Sequence, residues 1–148
     1  MGALRRSGFT LIEIVVVIAI LAMVVVLSYE ALSTYAGYQQ FRGSTAELLS
    51  RLREARQRTV ASETTGNFRV TITSSSTIQI SDSAASSSEQ YSFSGIRMTP
   101  ALTSGTTSIT FARLTGTPNA TGTILLLHER TGATTTISVG DSGIITTQ

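Results

Sequence analysis

Residues 14–27 read IVVVIAILAMVVVL, an unbroken apolar run without a charge or a turn-forming residue. Counted from Phe9 the stretch reaches 19 residues, interrupted only by Thr10 and Glu13. About 20 apolar residues in a helix cover the roughly 30 Å of bilayer hydrocarbon. Residues 9–28 are therefore predicted to span a membrane, and a freely soluble cytosolic chain is not expected. Arg5 and Arg6 stand just ahead of the run, and basic residues hold the adjoining end of a span in the cytoplasm. The chain beyond Leu27 is then expected on the far side. Glu13 does not fit this picture. A carboxylate in hydrocarbon costs about 2.5–3.5 kcal/mol on insertion scales, and such residues are kept where they have a task.

The helix is not predicted to end with the apolar run. No proline occurs before Pro100, and Ala31, Tyr35, Tyr38, Phe41, Thr45, Leu48, Leu52, Ala55 and Thr59 follow at steps of three and four. Such spacing draws one face of an amphipathic helix. Glu47→Arg51 and Glu54→Arg58 are i,i+4 pairs in the favoured order. One helix from Phe9 to about Ser62, roughly 80 Å long at 1.5 Å per residue, is expected, with residues 29–62 as its amphipathic continuation. Gly37 and Gly43 are points where it could bend or melt. Two helices joined near Gly37 are the alternative.

Beyond residue 63 the apolar period changes from 3.6 to 2. Segments 67–73, 77–81, 90–94, 108–112, 123–129, 134–139 and 144–147 alternate apolar and polar side chains and read as strands. Ser, Gly, Thr and Asn clusters between them read as turns. Residues 81–89 and 114–122 are expected to be loops, and ERTGATT the turn of a hairpin. The predicted class is α+β: a long N-terminal helix, its first half transmembrane, packed on an antiparallel β-sandwich or sheet domain at 63–148.

The chain has eleven arginines, no lysine and nine acids. Without residues 1–8, nine arginines face nine acids. Beyond Glu63, Arg69, Arg97, Arg113 and Arg130 balance Asp82, Glu89, Glu129 and Asp141. A near-neutral domain offers no strong phosphate-binding surface, and capture of DNA needs several phosphate contacts. Arg51, Arg53, Arg56 and Arg58 lie close together, but beside Glu47 and Glu54 they read as a solvated helix face. There is no cysteine, which excludes disulfides and thiolate metal sites. His128 is the single histidine, without a second ligand or a placed nucleophile near it in sequence, and reads as a strand surface residue. No catalytic residue, cofactor or metal is expected.

RRSGFTLIEIVVVIAI resembles the class III signal of type IV pilins and type II secretion pseudopilins: a basic leader, Gly, then Phe-Thr-Leu-Ile-Glu and an apolar run. The resemblance implies that prepilin peptidase removes residues 1–8 by cutting between Gly8 and Phe9, and that the new Phe9 amine is methylated. It implies an assembly role for Glu13, which would pair with the Phe9 amine of a neighbouring subunit. The sequence after residue 108 is similar to the GspH/FimT family of minor pilins and pseudopilins. Ile109, Phe111, Gly122, Ile124, Leu126, Ile137, Val139, Gly143 and Ile144 carry that likeness, which implies a pilin-like β-domain packed on the helix.

On these grounds the expectation is a non-enzymatic minor pseudopilin or minor pilin of a type II secretion pseudopilus or a type IV pilus. It would cross the inner membrane once, with the N-terminus cytoplasmic and the C-terminal domain periplasmic, before entering a filament. Its partners would be prepilin peptidase, minor and major pilins or pseudopilins, inner-membrane lipid and secreted cargo. Some DNA-uptake members of the family end in an arginine-rich tail, whereas this chain ends GIITTQ. DNA is therefore not an expected partner. A DNA-binding minor pilin for natural transformation and a membrane-tethered domain that never polymerises are the alternatives.

Overall fold

The computed structural model describes residues 10–85 and 87–148, apart from the side chains of Ala31 and Ser104. Its elements are one α-helix, eight strands and a single 3-10 turn at Thr103–Gly105. Helix α1 runs Leu11–Val60, continuous through Gly37 and Gly43. By internal contacts the chain forms two compact units, Met1–Ala36 and Gly37–Gln148.

The second unit carries two antiparallel four-stranded sheets. The first joins β1 (Phe68–Ser74), β2 (Thr77–Asp82), β3 (Ser88–Ser92) and β5 (Ser108–Thr110) in the order β3-β2-β1-β5. The second joins β4 (Ile96–Leu102), β6 (Gly122–His128), β7 (Thr134–Val139) and β8 (Ile145–Thr147) in the order β4-β6-β7-β8. Alternation puts Phe68, Val70, Ile78, Ile80 and Ile109 inward from the first sheet. Met98, Ile124, Leu126, Ile137, Val139 and Ile145 point inward from the second, and all eleven join one buried cluster. Helix residues Phe41, Leu48, Leu52 and Ala55 join that cluster, as do Phe93, Ile96, Leu102, Phe111 and Ala120. This is the α+β arrangement the periodicities predict, and it is the pilin-like one that the resemblance implies.

Several expectations need correction. β4 is a strand where the sequence analysis predicts none, and it contains Pro100. Proline lacks the ladder donor but is tolerated where one side of a strand is unpaired, and β4 is the outer strand of its sheet, with Pro100 opposite Ile124. β3 begins inside the predicted loop 81–89, where pairing of Ser88–Ser92 with β2 overrides a weak local preference. The predicted helix stripe divides. Phe41, Leu48, Leu52, Ala55 and Thr59 are buried, whereas Tyr35 and Tyr38 are 61% and 45% exposed. Ile144 is 61% exposed and its neighbour Ile145 is buried, since β8 turns alternate side chains inward. The predicted hairpin between β6 and β7 is present, with Leu127 opposite Thr134.

Gly37 is a close contact and not a breaking point. A Cβ there would lie 3.0 Å from Thr131 Cγ2 and 3.2 Å from His128 Cε1, so its missing side chain is what lets the β6–β7 turn approach the helix.

Candidate functional site

The helix begins where the sequence places its anomaly. Glu13 N–H donates to Thr10 O at 3.1 Å and to Thr10 Oγ1 at 3.4 Å. With Leu11 as the first helical residue, Thr10 is the N-cap and Glu13 the third helical position. Thr-x-x-Glu is the spacing of a capping box. The helix macrodipole also favours an anion there. This local role was missed, although the spacing was visible in the sequence. It places Glu13 in the first turn of the apolar helix, exposed, where another chain can reach its carboxylate.

Among the described residues, the helix surface that follows Glu13 is apolar as far as Leu27. Glu13, Ile14, Val17 and Ile18 line a shallow recess of about 290 Å³. Farther along, Leu21, Met23, Val24, Val25, Val26 and Leu27 are each more than half exposed. No part of that apolar stretch is buried by the rest of the protein, and its length and composition suffice to cross a membrane. Exposed apolar surface of this extent marks contact with lipid or protein. Gly8 and Phe9 lie outside the described residues, as do Arg5 and Arg6.

The four arginines near the end of the helix, expected on a solvated face, are partly exposed and divide between two directions. Arg51 contacts Glu54 at 3.0 Å and Glu47 at 4.0 Å, and its guanidinium lies 4.2 Å from the centre of the Tyr91 ring. Arg58 contacts Glu63 at 2.8 Å and Glu89 at 3.7 Å, and stacks over Phe68. These contacts raise both guanidinium pKa values, chiefly through the hydrogen bonds to Glu54 and Glu63. Tyr91 Oη donates to Glu89 Oε2 at 2.5 Å. That bond first, and Arg58 and Arg51 after it, hold the Glu89 carboxyl below the ordinary range.

Arg53 and Arg56 turn the other way and meet backbone. Arg53 Nη2 donates to Ile145 O at 3.0 Å, and Arg56 donates to Gly116 O and Ser142 O at 3.4 and 3.3 Å. Gly143 makes room for this contact. Its φ is +75°, and a Cβ would lie 2.7 Å from Arg56 Nε.

His128 is buried and not on the surface. It shares the inward face of β6 with Ile124 and Leu126, its ring lies 5.8 Å from that of Phe41, and Nδ1 is 2.7 Å from Thr131 Oγ1. Thr131 N–H donates to the same nitrogen. The histidine closes the hairpin turn. Among the described residues no three metal-ligating side chains gather.

Residues 4–29 match the family model of the prokaryotic N-terminal methylation motif, a type IV prepilin-like signal. The match covers the basic leader, Glu13 and the exposed apolar helix, and stops short of the sheet domain. No curated protein and no solved structure matches the chain significantly.

Proposed function

From the prepilin-like signal at residues 4–29, we propose that the chain is a minor pseudopilin or minor pilin of the GspH/FimT type, a structural component with no catalytic activity of its own. Prepilin peptidase cuts it between Gly8 and Phe9, and the Phe9 amine is methylated. Residues 1–8 are the leader, 9–28 the membrane and filament-core helix, 29–62 its amphipathic continuation and 63–148 the periplasmic domain. The system served is a type II secretion pseudopilus or a type IV pilus.

The observation that carries this reading is a carboxylate in the first turn of α1, at the head of an apolar, uncovered stretch that runs to Leu27. A lone charge in such a place is costly, and a neighbour's cationic amine relieves the cost. The pair is complete only between subunits, so it fixes register as well as contributing energy. Ile14, Val17 and Ile18 then pack against the incoming helix, and the sheet domain meets sister subunits or cargo. Glu13→Gln keeps the capping geometry and removes the charge. It is expected to leave membrane insertion intact while abolishing incorporation into filaments, read by shearing and immunoblotting. Incorporation at the wild-type level would overturn the pairing.

A further inference from the structure

The acids near the end of α1 all lie on one flank. At 100° per residue, Glu47, Arg51, Glu54 and Arg58 share that flank, and the buried Leu48, Leu52 and Ala55 form the next. The third flank holds Arg42, Ala46, Leu49, Arg53 and Arg56, with no acid. None of its three arginines forms an ion pair with a described residue. Arg53 and Arg56 meet carbonyl oxygens only, and a carbonyl accepts a hydrogen bond without cancelling a charge.

This basic flank runs beside an open sheet edge. β8 is the outer strand of the second sheet. Gln148 exchanges backbone hydrogen bonds with Thr136, and Ile144 O accepts from Gly140 N–H. By antiparallel alternation, Ile145 and Thr147 point their N–H and C=O groups away from β7, and Arg53 reaches one of them, Ile145 O. Two hollows follow the seam. One, of about 270 Å³, is lined by Arg53, Arg56 and Gly143–Ile145. The other, of about 200 Å³, includes Phe41, Arg42, Leu49 and Thr147. The seam therefore has cations toward both ends, apolar side chains between them and, along one side, strand backbone that pairs with no further strand.

We propose that this seam is the docking site for an extended acidic segment of a partner polypeptide, with its backbone along β8 and carboxylates on Arg42 and Arg53. Arg42 and Arg53 are eleven residues apart, about 16 Å along the helix, a distance that roughly five extended residues cover. Guanidinium and carboxylate match as planar forks, and an added strand supplies backbone pairing. A nucleic acid would match neither the apolar middle nor the strand edge. The inference deepens the assembly reading by stating what the sheet domain recognises, and it rests on that reading only for the partner's being a filament subunit or cargo.

The test uses the full chain in lipid nanodiscs, the peptide acetyl-Glu-Thr-Val-Thr-Glu-amide and its Gln-for-Glu counterpart, followed by NMR. The acidic peptide is expected to shift the Ile144–Thr147 amides and the Arg42 and Arg53 Nε–H signals saturably, and to bind about tenfold or more tightly than the neutral one. Arg42→Gln with Arg53→Gln should abolish the difference while leaving the remaining amide spectrum in place. If the double variant perturbs the fold, Arg42→Gln alone, on a side chain with no ion pair to a described residue, should still weaken binding. Equal binding of the two peptides, no shifts at the solubility limit, or stronger shifts from single-stranded DNA would each overturn the proposal. None of these outcomes bears on Glu13-dependent incorporation.

Discussion

The two ends of α1 are both rich in apolar side chains but meet opposite fates. In Gly37–Gln148 the helix supplies Phe41, Leu48, Leu52 and Ala55 to a core shared with both sheets. Between Leu11 and Leu27 its side chains remain uncovered, and Leu21 is 58% exposed where Leu52 is fully buried. The difference lies in pattern more than in hydrophobicity. Near Leu52 a stripe of apolar residues alternates with Arg, Glu and Gln, so only one face needs a partner, and this chain provides it. Between Ile14 and Leu27 every face is apolar, so the partner must lie outside the chain.

Leu52→Ala and Leu21→Ala put that contrast to the sharpest test. The first is expected to cost about 2–5 kcal/mol of domain stability, the usual range for a buried leucine, read by denaturant unfolding of the detergent-solubilised chain. The second should leave that transition in place, and a comparable loss would break the distinction. Ile18→Arg should act in the opposite sense. It is expected to disfavour insertion by about 2.5–3.5 kcal/mol, measured as loss from carbonate-washed membranes, without moving the domain's unfolding midpoint.

Smaller effects belong to the domain alone. Gly143→Ala forces a left-handed residue and crowds Arg56, and should destabilise by about 1–3 kcal/mol, with no effect on membrane partition. Glu89 supplies a still smaller, pH-dependent contribution. Its carboxyl titrates lower in the folded protein than in the unfolded chain. The stabilisation is therefore present above the ordinary carboxylate range and is lost as pH falls through the depressed value. Tyr91→Phe removes the first cause and should flatten the acid limb of the stability curve only slightly, because Glu89 is about half exposed.

The sequence was most legible where a period persisted. Steps of three and four foretold the buried stripe at Phe41–Thr59, and alternation foretold β1, β2, β6 and β7 to within about a residue at either end. It was least legible where tertiary placement overrides local signals. Pro100 speaks against a strand unless the strand is known to lie at an edge, and nothing local says that β4 does. His128 could be placed inside only by knowing that β6 turns Ile124 and Leu126 inward and that Phe41 waits opposite. The arginines at 51–58 looked alike in sequence. Helical rotation separates them, sending Arg51 and Arg58 to carboxylates and Arg53 and Arg56 to loop carbonyls. The anomaly of Glu13 was plain from the residues alone, but its capping partner Thr10 emerged only with the helix start.

The most direct test of the account is the intact mass of the protein extracted from the membranes of cells that carry its peptidase. The expected product is a polypeptide that has lost residues 1–8, begins at Phe9 and carries one added methyl group. A mature protein that still begins at Met1 would contradict it.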